Sequence, residues 1–167
     1  TGNDDDSLDT DNGYNGSLQY IIVKQRSLGG DNMVEASSVA GVVPASNAKV
    51  SNFTFIGNNS GNAIRLNTGT IGTYVNGVIN NLSECFRWED SAGNGVAGYQ
   101  AGVDPSFGSV LFDCAAGLAT ASSDTAAATD AVAADANNST GTANTLTSTF
   151  INGPAETAVT PYNVTGL

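Results

Sequence analysis

The sequence predicts an all-β solenoid, a parallel β-helix of about four coils, and three observations carry that prediction. Four short segments repeat one apolar-charged-apolar pattern: Leu8-Asp9-Thr10, Val34-Glu35-Ala36, Ile64-Arg65-Leu66 and Phe86-Arg87-Trp88. Their charged residues lie 26, 30 and 22 positions apart, the irregular period of a solenoid with variable loops. Each segment is followed by an Asn/Gly/Asp/Ser turn cluster and a second strand-like run. A β-sandwich is the alternative, but it would join alternating strands by hairpins and would not put a charge at one point of every repeat.

Taken in order, the first coil pairs Leu8-Asp9-Thr10 with the run Gln19 to Val23. The second pairs Val34-Glu35-Ala36 with Asn52 to Ile56. The third pairs Ile64-Arg65-Leu66 with Val75 to Ile79, and the fourth pairs Phe86-Arg87-Trp88 with Ser109 to Phe112. These coils occupy residues 1–114. Residues 115–144 form a Ser/Thr/Ala-rich excursion in which Ser122-Ser123-Asp124 is placed to cap a short helix through about Ala136, since Ala favours helix and Asp suits its N-terminus. With little apolar stripe, that helix is expected to lie on the solenoid surface. Residues 145–167 close the same domain, Leu146 to Ile151 as a returning strand and the remainder as a tail.

The 167 residues carry 16 acidic and 5 basic side chains, no histidine and two cysteines, for a net charge of -11. A chain of this length can bury a real core. The missing histidine excludes a Ser-His-Asp triad, a Cys-His dyad and histidine-ligated zinc. Nucleic acid is an unsuitable partner because phosphate binding needs clustered Lys and Arg, and the same holds for an anionic membrane surface. No apolar run reaches the roughly 18 residues of a transmembrane segment. Exposed carboxylates and amides suit an extracellular or outer cell-surface setting, with cations or glycans as partners. An even pair of cysteines in such a setting reads as a disulfide, Cys85 to Cys114; two buried thiols in a cytosolic protein are the alternative.

The run Thr1-Gly2-Asn3-Asp4-Asp5-Asp6-Ser7-Leu8-Asp9, with Asp11-Asn12-Gly13-Tyr14, Leu18-Gln19-Tyr20 and the late Phe150-Ile151-Asn152-Gly153-Pro154-Ala155-Glu156, resembles a group of secreted, often lipoprotein-annotated proteins of Gram-negative bacteria. The resemblance covers most of the chain and is weakest over residues 115–144. It implies a right-handed parallel β-helix and a chain that is one part, the C-terminal half, of a longer protein with further coils ahead of it.

Three constellations are candidates for chemistry. Period-two alternation sends Asp9, Glu35, Arg65 and Arg87 to the side opposite their apolar neighbours, so aligned coils stack them as one outward column: a solvated ladder, or the raw material of an active site. Stacked Asp9 and Glu35 have nearly the 5 to 5.5 Å separation of a retaining glycosidase; a lyase would combine acid-bound calcium with Arg65 as base or charge stabiliser. The acidic corner of Asp4, Asp5, Asp6, Asp9 and Asp11 offers hard oxygen ligands for calcium, the one cofactor the residues point to, or else consists of solvated turn residues. It is no EF-hand, because the twelfth loop position is Tyr20. Tyr14, Tyr74, Tyr99 and Tyr162 are read as exposed residues that could stack on sugar rings, and most are equally well explained as turn plugs or core.

The expectation is therefore an extracellular β-helix module acting as a structural or binding surface for a glycan, a cation or a partner protein, with a polysaccharide lyase or glycoside hydrolase built on Asp9, Glu35 and Arg65 as the alternative. Its first coil has nothing able to cap it ahead of Leu8. Further coils of its own chain, or another chain, are expected on that end by strand addition.

Overall fold

A computed structural model describes residues 3–38, 44–57, 61–67, 70–89, 103–119, 125–165 and 167. The repeats become coils. Short strands β1 (Leu8–Thr10), β3 (Val34–Ala36), β5 (Ile64–Leu66) and β7 (Phe86–Trp88) alternate along the chain with long ones, β2 (Ser17–Lys24), β4 (Asn47–Ile56), β6 (Ile71–Asn81) and β8 (Ser106–Cys114). The short strands pair in the order β1-β3-β5-β7 and the long ones in the order β2-β4-β6-β8, with the two-residue β9 (Ser139–Thr140) added beside β8, all parallel. Two parallel sheets fed alternately by one chain make a parallel β-helix, which removes the sandwich.

Each long strand bends once. Tyr20, Asn52, Asn76 and Ser109 occupy equivalent positions and all have φ between 54° and 60°, the left-handed region that Asn tolerates and that is uncommon for other non-glycine residues. The bend gives each coil a third side and resets the alternation, so that inward residues fall three apart across it: Val50 and Phe53, Tyr74 and Gly77, Phe107 and Val110.

The interior is stacked in rows. Val34, Ile64 and Phe86 make one row, Ala36, Leu66 and Trp88 another, and Phe55, Ile79 and Phe112 a third, all buried. A Cβ on Gly77 would run into the ring of Phe53, so the glycine leaves room for an aromatic from the coil before it. Phe53, Tyr74 and Phe107 continue as a ring chain with centroids 6.2 and 5.5 Å apart. Tyr74 is thus a correction: it faces the core, fully buried, and burial pushes its phenol far above the ordinary value.

A ladder of amides runs along the turns. Asp6, Asn32, Asn62 and Glu84 each sit two residues before a short strand. The backbone N–H and Nδ2 of Asn62 donate to Asn32 Oδ1 at 3.1 and 3.2 Å. Those of Asn32 donate to Asp6 Oδ1 at 2.7 and 2.9 Å.

The two ends differ. After β8, residues 117–119 begin a further rung under β7 through bonds from Cys85 N and Phe86 N to Gly117 O and Leu118 O. Helix α1 (Thr125–Ala133) then packs on β7 and β8, burying Ala127, Ala128, Ala131 and Val132 in the main core. The predicted surface helix is therefore a cap. Its buried stripe consists of side chains too small to register as amphipathic, and small residues let the helix sit close on the last coil. The proposed cap residues 122–124 lie outside the described residues.

Asn138 stitches the cap down: its Nδ2 donates to Val132 O and Phe107 O, and its Oδ1 accepts from Val110 N. Strand β9 (Ser139–Thr140) then adds to β8. Residues 146–151, expected as a strand, instead form a tight turn closed by a Thr147–Ile151 antiparallel bridge, with Ser148 and Thr149 at positive φ. Helix α2 (Pro154–Thr157) follows.

From there the tail runs back over the outside of the long-strand sheet. Tyr162 N donates to Asn76 Oδ1 at 2.6 Å and Asn76 Nδ2 donates to Tyr162 O at 3.0 Å. Val164 and Leu167 reach Leu18, Gln19, Lys49 and Ser51. At the other end, β1 and β2 are the outermost strands, and the core-facing Leu8, Leu18 and Ile21 are only half-buried.

Candidate functional site

The predicted outward column forms. Asp9, Glu35, Arg65 and Arg87 are register neighbours in successive strands, at the roughly 4.8 Å spacing of paired strands. The flanking members of each triplet point inward, which leaves the charged residue no other side. The column does not stand as four isolated charges.

Glu35 accepts from Asn32 Nδ2 at 2.8 Å and from Asn67 Nδ2 at 3.0 Å, with Arg65 Nη1 3.8 Å away. Arg65 Nε donates to Asn67 Oδ1. Glu89 takes Arg65 at 3.7 Å and Arg87 at 3.0 Å. Desolvation and the Asp6 charge raise the Glu35 carboxyl above its ordinary value, against Arg65 and Asn67, which lower it. Asp9, at the top of the column, forms no ion pair among the described residues; partial desolvation and then Asp11, Asp6 and Asp5 raise it.

Asn32, Asn67 and Glu89 were not singled out in the sequence. A signal exists for the last two, since each follows its column residue by two positions (Arg65-x-Asn67, Arg87-x-Glu89) and so stays on the same outward face.

The acidic corner is rearranged. Asp5 and Asp6 come together with Asp31, their carboxylate oxygens within 4.8 Å of one another, an arrangement that could hold a divalent cation through hard oxygens. Asp4 instead pairs with Arg26, and Asp6 already accepts two bonds from Asn32. The sequence missed Asp31 because it arrives from the next coil.

Cys85 and Cys114 form the expected disulfide, with Cα atoms 5.6 Å apart, tying the start of β7 to the end of β8 just beneath the cap. The chain matches the model of the pectate-lyase like β-helix domain family over residues 1–153. It belongs to that family. No curated protein and no solved structure matches it. The family membership fixes the architecture and leaves the chemistry to the residues themselves, since one fold hosts many functions.

Of the tyrosines, Tyr14 is half-buried and Tyr162 is 40 % exposed, while Tyr99 lies outside the described residues. The most exposed is one the sequence did not select, Tyr20 at 77 %, on the left-handed corner of the first coil.

Neither of the two grooves described here opens over the charged column. One, of about 340 Å³, lies over the left-handed corner between the long-strand sheet and the C-terminal segment, with Asn52, Ser109 and Thr54 on the sheet side and Asn152, Val159 and Pro161 on the other. The second, of about 260 Å³, lies where Val164 and Leu167 meet β2 and β4. No helix of the described residues is long and apolar enough to cross a membrane.

Proposed function

We propose that this pectate-lyase-like β-helix is a structural module of an extracellular or cell-surface protein, a stiff rod segment closed at one end and built to receive another β-coil at the other. The observation that carries this reading is the state of β2. Its inward Leu18 and Ile21 remain half-buried where their register partners Val50 and Phe53 are 1 % and 3 % exposed. Its outward Tyr20 and Ile22 stand 77 % and 51 % exposed, and among the described residues it is the edge strand of its sheet. The disulfide and the acidic, amide-rich composition support the extracellular setting.

The column of Asp9, Glu35 and Arg65 fits this structural role better than a hydrolase or lyase. Glu35 spends its oxygens on Asn32, Asn67 and Arg65, and an arginine that holds two glutamates is a charge partner and no base.

The reading is tested by joining a second copy of residues 57–81 ahead of Asn3, which places an arginine, the copy of Arg65, over Asp9. The expected result is slow amide exchange across β2 and a higher thermal midpoint. If β2 already exchanges as slowly as β4 in the original chain, or stays fast beneath the grafted coil, the end is not a receiving face.

A further inference from the structure

We infer that the cleft over the left-handed corner is a binding site for an uncharged oligosaccharide. The cleft is built by a part of the chain that does not belong to the coils. After α1 and β9, the segment from Asn152 to Pro161 arches over the outer surface of the long-strand sheet and is clamped on both sides.

At one side Glu156 is buried, and its carboxylate accepts from Thr145 N, Thr145 Oγ1 and Gly153 N at 2.6, 2.8 and 2.7 Å. At the other side the Asn76 side-chain amide grips the backbone N–H and C=O of Tyr162. Between these clamps lies the space of about 340 Å³, within the range of small-molecule sites.

Two groups in its walls have hydrogen-bonding capacity that the protein does not use. The Ser109 hydroxyl is buried without a partner, its residue 3 % exposed, and it borders the cleft. Asn52 stands one coil along from Asn76 in the same left-handed geometry, where Asn76 holds the backbone N–H and C=O of Tyr162 with both its amide atoms; no described residue bonds the Asn52 amide. A buried polar group left without a partner costs free energy that a ligand hydroxyl would recover.

The charge inventory selects the ligand. None of the lining residues is Lys or Arg, and the one acid, Glu156, is consumed by its three bonds. In a chain of net charge -11, an anionic sugar finds repulsion and no counter-ion here. Val159 and Pro161 supply accessible apolar surface for the C–H faces of a sugar ring, and the amides and hydroxyls meet its edges. The acidic polysaccharide in the family's description is thus the wrong chemistry for this cleft.

The test uses the whole chain, titrated with cellotetraose and mannotetraose as neutral probes and trigalacturonate as the acidic one, each to about 10 mM and followed by amide chemical shifts. The expected result is saturable shifts confined to residues 52–54, 76–78, 109–111 and 152–161 with at least one neutral probe, and none with trigalacturonate. Asn52→Gly removes the amide yet tolerates the positive φ, and Asn152→Ala acts on the opposite wall; each is expected to weaken binding about tenfold with the fold retained. No shifts with either neutral sugar, equal or tighter binding of trigalacturonate, or unchanged affinity in both variants overturns the assignment.

Discussion

The two ends of this solenoid are made from the same repeat and finished in opposite ways. At the C-terminal end, α1 buries four small side chains on the last coil, Asn138 ties the helix to β8, and the disulfide pins β7 to β8. At the N-terminal end, β1 and β2 are the outermost strands, and their inward Leu8, Leu18 and Ile21 stay half-buried. Capping in a β-helix is therefore a separate device, assembled from residues that do not follow the repeat. Stability should be concentrated where that device sits.

The largest expected effect comes from comparing one substitution at each end. Ala131→Asp puts a charge where the side chain is fully buried, and should cost about 3 kcal/mol or more, enough to release the cap. Ile22→Asp at the open end, where half the side chain is in water, should change stability by no more than about 0.5 kcal/mol. Urea unfolding of both variants measures the difference; equal costs would mean that the ends are equally closed.

Reducing the Cys85–Cys114 disulfide should lower stability by about 3 kcal/mol, on the chain-entropy account of a loop of this length. The loss should appear first as faster amide exchange in α1 and β8. If β1 and β2 accelerate before them, the staple does not serve the capped end.

Acid should separate the ends by sign. Asp9 and Glu35 carry raised values, so they bind protons more tightly folded than unfolded. Near the open end the folded state therefore gains stability as pH falls from neutral through their raised values, and the gain is complete below their ordinary values of 3.8 and 4.5. Asp113 and Glu156 are lowered. For both, desolvation pulls upward and is outweighed, by bonds from Asn144 and Asn80 to the first and from Thr145 and Gly153 to the second.

Their contribution is present above 3.8 and 4.5 and is lost as pH falls through their depressed values. The C-terminal strap should loosen in acid while the first coils tighten. Residue-resolved amide exchange from pH 7 down to the acid unfolding of the chain reads this directly, and a strap that keeps its protection longer than the first coils contradicts it. The smallest effect belongs to Asp9→Asn, which removes a like charge stacked on Glu35 and should shift the midpoint by no more than about 0.5 kcal/mol, in the stabilising direction if at all.

Much of the coil architecture was legible because its short strands repeat a pattern whose physics is local: an apolar-charged-apolar triplet has only one way to face a core. The register Asp9–Glu35–Arg65–Arg87 follows from that alone. The side taken by Tyr74 stayed open between surface and core because period-two counting fails across the left-handed corner, and nothing in Tyr20 or Ser109 advertises that backbone state; coil closure imposes it. The cap was read as surface because alanine stripes leave no hydrophobic signature. In the acidic corner, sequence proximity grouped Asp9 and Asp11 with Asp4, Asp5 and Asp6, and Asp9 does feel the charges of Asp11, Asp6 and Asp5; what proximity could not show is that the coil repeat brings Asp31 to Asp5 and Asp6 from one turn away and that Asp4 pairs with Arg26.

The amide ladder of the turns bears on how such a protein changes its length. Asn62 donates to Asn32, which donates to Asp6, and each rung asks of its neighbour what the next asks of it. A coil gained or lost by duplication between two rungs therefore leaves every amide bonded, so long as the newcomer brings one asparagine at the same offset. Asp6 is different, because a carboxylate accepts the last pair of bonds and has no amide hydrogen to pass on. A coil added ahead of Asp6 need offer it no acceptor, so the relay leaves that end as open to extension as the interior.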